Sequence, residues 1–295
     1  MFVLARLSTG RGFLKKQDNE NFMKIYISAD IEGVAGVVIP QQCSSGNAEY
    51  ERARRLMTNE VNAAVTGAFE AGAKEVVVND SHGAMVNLVP ELLHPDAELI
   101  QGKPKPQNMA CGLADGGFDM VFLVGHHAGA SLEGVLAHTT NSRAFRAVYL
   151  GDKRLGEPGI YGAYAGELGI PVGLLTGDNC LEEQNREFFP KARFATVKHA
   201  YTNRAARSLS PTKSCEKIKA AAFEAVKNRH DMKPFIIRPP FMVKFEVLLP
   251  ALADQAAHLP PAKRIDAVTI GFDCNSVRDA IGWMSAVSAL AASVM

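Results

Sequence analysis

The chain reads as an α/β protein: a mainly parallel sheet flanked by helices, followed by a smaller C-terminal α+β domain. Three observations predict this. Short apolar runs at Lys24–Asp30, Lys74–Asp80 and Phe118–Val124 have the unbroken hydrophobic character of strands buried on both faces. A long helical pattern from Asn47 to Gly72 joins the first two runs, giving the strand–helix–strand unit that generates parallel sheets with right-handed crossovers. From about Ala192 the texture changes to an amphipathic helix followed by alternating segments broken by Pro239-Pro240.

Taken in order, Met23 launches directly into the first strand, so the chain divides into an N-terminal extension (1–22), an α/β domain (23–190) and a smaller domain (191–295). The extension carries Arg6, Arg11, Lys15 and Lys16 and interrupts its apolar residues with Arg6, Gly10 and Gly12, too short a run for a secretory core; it is expected to be disordered or targeting-like. In the helix over 47–72, Leu56, Val61, Val65, Ala68 and Phe69 form the apolar stripe, and Gly72 stops it. Beyond the second strand, Met85–Leu93 reads as a short helix, Ala97–Gln101 as a strand and Gln107–Gly112 as a helical turn. Phe145–Leu150 and Lys153–Gly156 flank a turn at Gly151-Asp152, Gly159–Gly169 is a helix, and Pro171–Thr176 is a further buried strand. In the last third, Lys213–Arg229 is a helix, Phe241–Leu248 and Arg264–Ile270 are strands, and Ser276–Val294 is a closing helix.

Composition excludes several classes of function. With 32 basic and 31 acidic residues the net charge is +1, and no Lys/Arg block or membrane-length apolar run is present, so neither a nucleic-acid nor a membrane partner is expected. The five cysteines (Cys43, Cys111, Cys180, Cys215 and Cys274) are odd in number and widely spaced, which fits a reducing cytoplasm better than a disulfide framework.

The three buried runs end in ligand-type side chains. The first passes into Asp30-Ile31-Glu32-Gly33, the second into Ser81-His82-Gly83, the third into Gly125-His126-His127. The carboxyl ends of parallel strands share one edge of the sheet, where ligands bind, so these groups converge. Asp30 and Glu32 are two apart and face the same way if the strand continues; two carboxylates so close call for a divalent cation. His126 and His127 are neighbours, and in an extended strand only one can reach a given ion. His138 and Glu157 are further candidates, Glu157 at the start of a helix, while Asp80 and Asp178 read as caps or supporting groups. The motifs HExxH, GxSxG, GxxxxGK[ST] and GxGxxG are missing, as is the GDxHG-plus-GNHD pattern, which removes zincins, serine hydrolases, P-loop enzymes and binuclear phosphoesterases.

In order along the chain stand Ser28-Ala29-Asp30-Ile31-Glu32-Gly33, Asn79-Asp80-Ser81-His82, Gly125-His126-His127-Ala128, Gly134-Val135-Leu136-Ala137-His138 and Gly156-Glu157. Together with Tyr50-Glu51-Arg52, Leu93-His94-Pro95 and Thr176-Gly177-Asp178, they resemble the signature of the DppA-type D-aminopeptidases, peptidase family M55, from about Lys24 to Pro211. The resemblance implies two Zn2+ ions per chain, held by Asp30, Glu32, His82, His127 and Glu157, with Asp30 as the bridge and His138 as the catalytic histidine, either nucleophile or general acid/base. It also implies a short D-peptide or aminoacyl amide as substrate and a ring-like homo-oligomer. His126 and Glu133 depart from the family pattern and are expected at the entrance of the site. The rival expectations are a dinuclear amide or ester hydrolase acting on L-peptides or a non-peptide substrate, and a non-catalytic metal-binding scaffold. A histidine in the place of His138 has no purpose in the scaffold.

Overall fold

The computed structural model describes residues 22–294, so the expected N-terminal extension, apart from Phe22, lies outside the described residues. β1 (Lys24–Ala29) leads through a loop to α1 (Ala48–Glu70), and β2 (Glu75–Asp80), β3 (Ala97–Ile100) and β4 (Met120–Val124) follow with only 3-10 turns between them. β5 (Phe145–Leu150) and β6 (Lys153–Arg154) form a hairpin. Next come α2 (Glu157–Glu167), β7 (Val172–Asp178), α3 (Asn179–Asn185), β8 (Arg193–Thr202), β9 (Ala205–Ser208) and α4 (Pro211–Lys227). β10 (Phe241–Val247), α5 (Pro250–Ala256), β11 (Lys263–Arg264), β12 (Thr269–Cys274) and α6 (Val277–Leu290) complete the order.

Seven strands form the main sheet in the order β3-β2-β1-β4-β7-β8-β9, parallel throughout except for the antiparallel β8–β9 edge. Its central strands are buried on both faces, and the pleat divides their side chains between two cores. Ile25, Ile27, Val76, Val78, Met120, Phe122 and Val124 face one core, together with the buried stripes of α1 and α4. Tyr26, Val77, Val121 and Leu123 face the other, which continues through α2 into the second sheet. That sheet is antiparallel, β11-β12-β10-β5-β6, with Val148, Phe245 and Phe272 in the shared core. Two unlike layers therefore sandwich the parallel sheet: a helical pair on one side, α2 and a small antiparallel sheet on the other.

Strand order places the site. From β1 the chain winds outward to β2 and β3, then returns to β4 on the opposite side of β1. The β1–β4 gap is thus the topological switch point, and the crevice at its carboxyl end is open to side chains from both strands.

The sheets do not divide at residue 190. β8, β9 and α4 belong to the first sheet and its helical layer, while β5 and β6 belong to the second sheet. The reason is packing: Ala195 and Val197 of β8 and Ile218, Ala222, Ala225 and Val226 of α4 bury their apolar faces in the α1 core. Met85–Leu93 is a loop with one 3-10 turn at Pro90–Leu92, because Asp80 draws the Asn87 and Leu88 amides onto its carboxylate. The expected strand Arg264–Ile270 is a hairpin, β11 and β12, turned at residues 265–268.

Candidate metal centre

The two strands at the switch point deliver their groups through tight backbone crossings. β1 stops at Ala29, and Asp30 donates its amide to the Val124 carbonyl at 2.8 Å. The chain then turns, so that Glu32 reaches the site from a turn and not from a continued strand. Gly33 makes this possible: a Cβ there would stand 1.9 Å from the His126 carbonyl oxygen. Gly125, with φ of 72°, answers from β4, where a Cβ would meet the Asp30 carbonyl oxygen at 2.2 Å.

Lys198, on β8, holds the turn from beneath. Its fully buried ammonium donates to the carbonyls of Glu32, Val34 (3.1 Å) and Val37 (2.6 Å), one acceptor for each N–H. Burial pulls its pKa down to about 8. Glu60 on α1 takes the Ala35 amide at 3.0 Å and the Ser214 hydroxyl, and burial pushes its carboxyl up to about 7. Neither residue was singled out from the sequence; the available signal was a lysine at an inward position of an apolar strand. Lys198→Met is expected to cost about 3–5 kcal/mol, because the buried Glu32 and Val37 carbonyls lose their partner, while Val34 keeps the Val37 amide. Urea unfolding of the variant beside the parent chain measures this.

His82, after β2, is set between Asp30 and Glu32. Its Nδ1 is 3.3 Å from Asp30 Oδ1 and 3.0 Å from Glu32 Oε2, while Nε2 lies 2.8 Å from the Cys43 carbonyl. The loop bearing it is fixed by Asn87, which bridges Asp80 Oδ1 (2.7 Å) and the His82 carbonyl (2.6 Å). Asp80 is therefore a loop anchor, while Asp178 is the cap of α3, accepting from the Leu181 amide at 2.8 Å.

His127, beyond β4, faces the other oxygen of Asp30. Its Nε2 lies 3.4 Å from Asp30 Oδ2 and 3.3 Å from Glu157 Oε2, and Nδ1 is 2.9 Å from the Ala128 carbonyl. Glu157 opens α2 and is buried; the Thr140 amide donates to its Oε1. His138 stacks on His127, with ring centroids 4.1 Å apart and planes inclined by 9°. Its Nδ1 is 2.9 Å from the Leu136 carbonyl and its Nε2 is 3.9 Å from Glu157 Oε1. Leu136 (φ 55°) and Thr140 (φ 58°) bracket it in the left-handed region, which non-glycine residues keep only where their surroundings enforce it.

The same design recurs in all three rings: one nitrogen is anchored on a backbone carbonyl and the other is aimed at carboxylates. A carbonyl partner fixes the proton on the anchored nitrogen, leaving a lone pair toward the acids. Lone pairs facing carboxylates repel unless a cation stands between. Glu32 Oε2 and His127 Nε2 are buried without a hydrogen-bond partner among the described residues. Burial alone would lower the basicity of His82 and His127, yet Glu32 for the one and Glu157 for the other, with Asp30 beside both, raise them well above the usual histidine range. Burial opposes ionisation of Asp30, but His127 and His82 beside it hold its carboxyl well below the ordinary value. Ligand atoms of Asp30, Glu32 and His82 lie within 4.8 Å of one another, as do those of His127, His138 and Glu157, and those of Asp30, His126 and Glu157.

All six residues singled out from the sequence, Asp30, Glu32, His82, His127, His138 and Glu157, come together here. The other two expectations fail. His126 is fully buried and does not line an entrance, because its backbone is wedged between Gly33 and Gly177. Glu133 is exposed and lines neither cavity at the site. Those cavities, of about 390 and 380 Å³, meet at His82, His138 and Thr140. The larger is walled on its far side by Ser285, Ser288, Ala289 and Ala292, the end of α6 and the 3-10 turn after it, so the second sheet's helix shapes the pocket of the first.

Comparison with known proteins gives concordant results. The model of the D-aminopeptidase family, peptidase family M55, matches residues 23–286. A D-aminopeptidase of Bacillus subtilis (strain 168) is 38% identical over 218 residues, 74% of this chain and 78% of that protein. The solved structure of the Zn-dependent D-aminopeptidase DppA from Bacillus subtilis, described as a self-compartmentalizing protease, superposes with a TM-score of 0.89 at 33% identity. The match covers 92% of this chain and 98% of that one.

Proposed function

This chain belongs to the D-aminopeptidase family M55, and we propose that it is a zinc-dependent aminopeptidase releasing N-terminal D-amino acids from short peptides or amides. The observation that carries the reading is the division of Asp30 between two donor sets, Oδ1 with Glu32 and His82, Oδ2 with His127 and Glu157. Three carboxylates and two neutral imidazoles suit two zinc ions in charge and in donor type, since zinc takes nitrogen and oxygen ligands readily. Asp30, Glu32 and His82 would hold one ion; Asp30, His127 and Glu157 the other. Zinc bound there supplies Lewis-acid polarisation of the scissile carbonyl and acidifies water from ~15.7 toward ~7.

The protein's own groups do the rest. His138 is partly exposed in both cavities and keeps Nε2 free of backbone bonds, so it can take or give a proton at the departing amine. Stacking on His127 and the bend at Leu136 and Thr140 hold the ring in position. Cavities near 400 Å³, the larger walled on one side by α6, suit substrates of a few residues and exclude folded chains. The self-compartmentalizing relative supports a ring-like homo-oligomer for this chain too. Among the described residues no helix is long and apolar enough to cross a membrane, and five free cysteines agree with a cytoplasmic setting.

The test is metal content together with hydrolysis of D-Ala-D-Ala and of paired D- and L-aminoacyl amides, before and after chelation. Two zinc ions per chain, D-selective cleavage and loss of activity on chelation are expected. Two ions with cleavage of L-substrates alone would keep the centre and replace the substrate; two ions with no turnover would favour the scaffold.

A further inference from the structure

His126 is the one side chain of the centre without an assigned task. Its ring is wholly inaccessible, and neither Nδ1 nor Nε2 makes a hydrogen bond of ordinary geometry among the described residues, the Ser28 backbone being the polar group beside it. Burying a polar ring unpartnered is costly, and the backbone leaves it no easy escape. The His126 amide donates to the Thr176 carbonyl at 3.0 Å, and its own carbonyl is packed against Gly33 on one side and Gly177 on the other. One ring nitrogen nevertheless lies with an Asp30 oxygen and a Glu157 oxygen in a group spanning no more than 4.8 Å, all three residues buried.

We propose that His126 is a further metal ligand, completing with Asp30, His127 and Glu157 a four-residue set for one of the two ions. The inference rests on the two-zinc reading of the centre. Its physical basis is that donors bonded to one zinc at 2.0–2.2 Å stand roughly 3–4 Å apart, so the group needs only a small contraction to close on an ion. The consequence is asymmetry. An ion with four protein ligands is held tightly and has little room for substrate, as in structural sites, whereas the ion on Asp30, Glu32 and His82 keeps an open position and meets the substrate. The pocket agrees: Asp30, His82 and Glu157 line the larger cavity and Glu32 and His82 the smaller, while His126 reaches neither.

The experiment uses the full chain and its His126→Phe variant, stripped with a chelator and titrated with zinc against a chromophoric competitor. The same two proteins are then loaded stepwise with cobalt for absorption spectroscopy. The parent chain is expected to show two unequal dissociation constants. In His126→Phe the tighter one should weaken by about tenfold or more, the other should stay, and the cobalt spectrum of the first equivalent should change. Thermal unfolding adds a readout of opposite sign: without metal the phenylalanine variant should melt no lower than the parent, because an unpartnered ring has been replaced by an apolar one of similar shape. Its gain in melting temperature on zinc addition should be smaller. A His126→Gln variant decides by the same measurements if the phenylalanine chain does not fold. Unchanged zinc constants and an unchanged cobalt spectrum would overturn the proposal while leaving the two-ion centre standing. Uptake of fewer than two zinc ions by the parent chain would overturn the centre itself.

Discussion

His138→Ala is expected to lower kcat by about 10²–10⁴, the range that a positioned proton-transfer group contributes, with zinc content unchanged. The geometry separates this residue from the proposed metal ligands. Asp30, Glu32, His127 and Glu157 are buried; His82 and His138 are both partly exposed and line both cavities, but His82 stands against two carboxylates at 3.0 and 3.3 Å. The His138 Nε2 stands 3.9 Å from Glu157, farther than the 3.0–3.4 Å that separate His82 and His127 from their carboxylates. Deleting the ring therefore removes a group that lines the substrate cavities and leaves both proposed donor sets whole. Kinetics with a D-aminoacyl amide, paired with metal analysis, measure both halves of the expectation. An alanine variant with parental kcat would remove His138 from the chemistry, and one that loses a zinc ion would make it a ligand. Rapid-mixing kinetics on the parent chain then separate the two roles: a nucleophile leaves an acylated enzyme and a burst of released amine, a proton carrier does not.

Much of this arrangement was legible in the chain because buried parallel strands leave a plain signature. β1, β2, β4 and β7 are sealed on both faces, so their residues are apolar almost without interruption, and the first polar residues after them mark the edge of the sheet. The strand order, which puts β1 and β4 side by side and makes the ends of those runs meet, is a long-range property with no local pattern. β8 was missed for the opposite reason. It is half-buried and carries Arg193, Lys198 and His199, and its one inward lysine is stabilised by three carbonyls more than one hundred and fifty residues away in sequence. α3 and α5 are seven residues each, about two turns, too short for a helical period to declare itself. Glu32 shows how a correct residue can rest on a wrong local picture. The period of two placed it beside Asp30, yet the strand ends at Ala29 and a turn cushioned by Gly33 brings the carboxylate to His82. His126 shows the converse. Adjacency in an extended strand would send it away from His127, but the left-handed Gly125 ends that geometry, and both rings stay within reach of Asp30 and Glu157.

Asp30→Asn should have the largest effect of any single change in the centre: loss of stoichiometric zinc, and a fall in turnover of more than about 10⁴-fold through loss of both ions. The substitution is nearly isosteric, and the Ile31 amide, now 2.9 Å from Oδ1, can keep a carbonyl-type acceptor. What disappears is one negative charge and one oxygen. Every other donor serves a single set, whereas Asp30 turns one oxygen to His82 and the other to His127, so its loss is felt on both sides of the centre at once. Glu32→Gln is the natural comparison, because Glu32 touches only His82 and should compromise one ion while the other remains. Thermal unfolding with and without zinc gives a measure independent of catalysis. A ligand that binds only the folded chain stabilises it by about 4 kcal/mol per site at a thousandfold excess over its dissociation constant. The parent chain should therefore gain strongly from zinc, Glu32→Gln about half as much, and Asp30→Asn little. Equal gains for the two variants would show that the ions are bound independently, and would remove Asp30 from its place as the bridge.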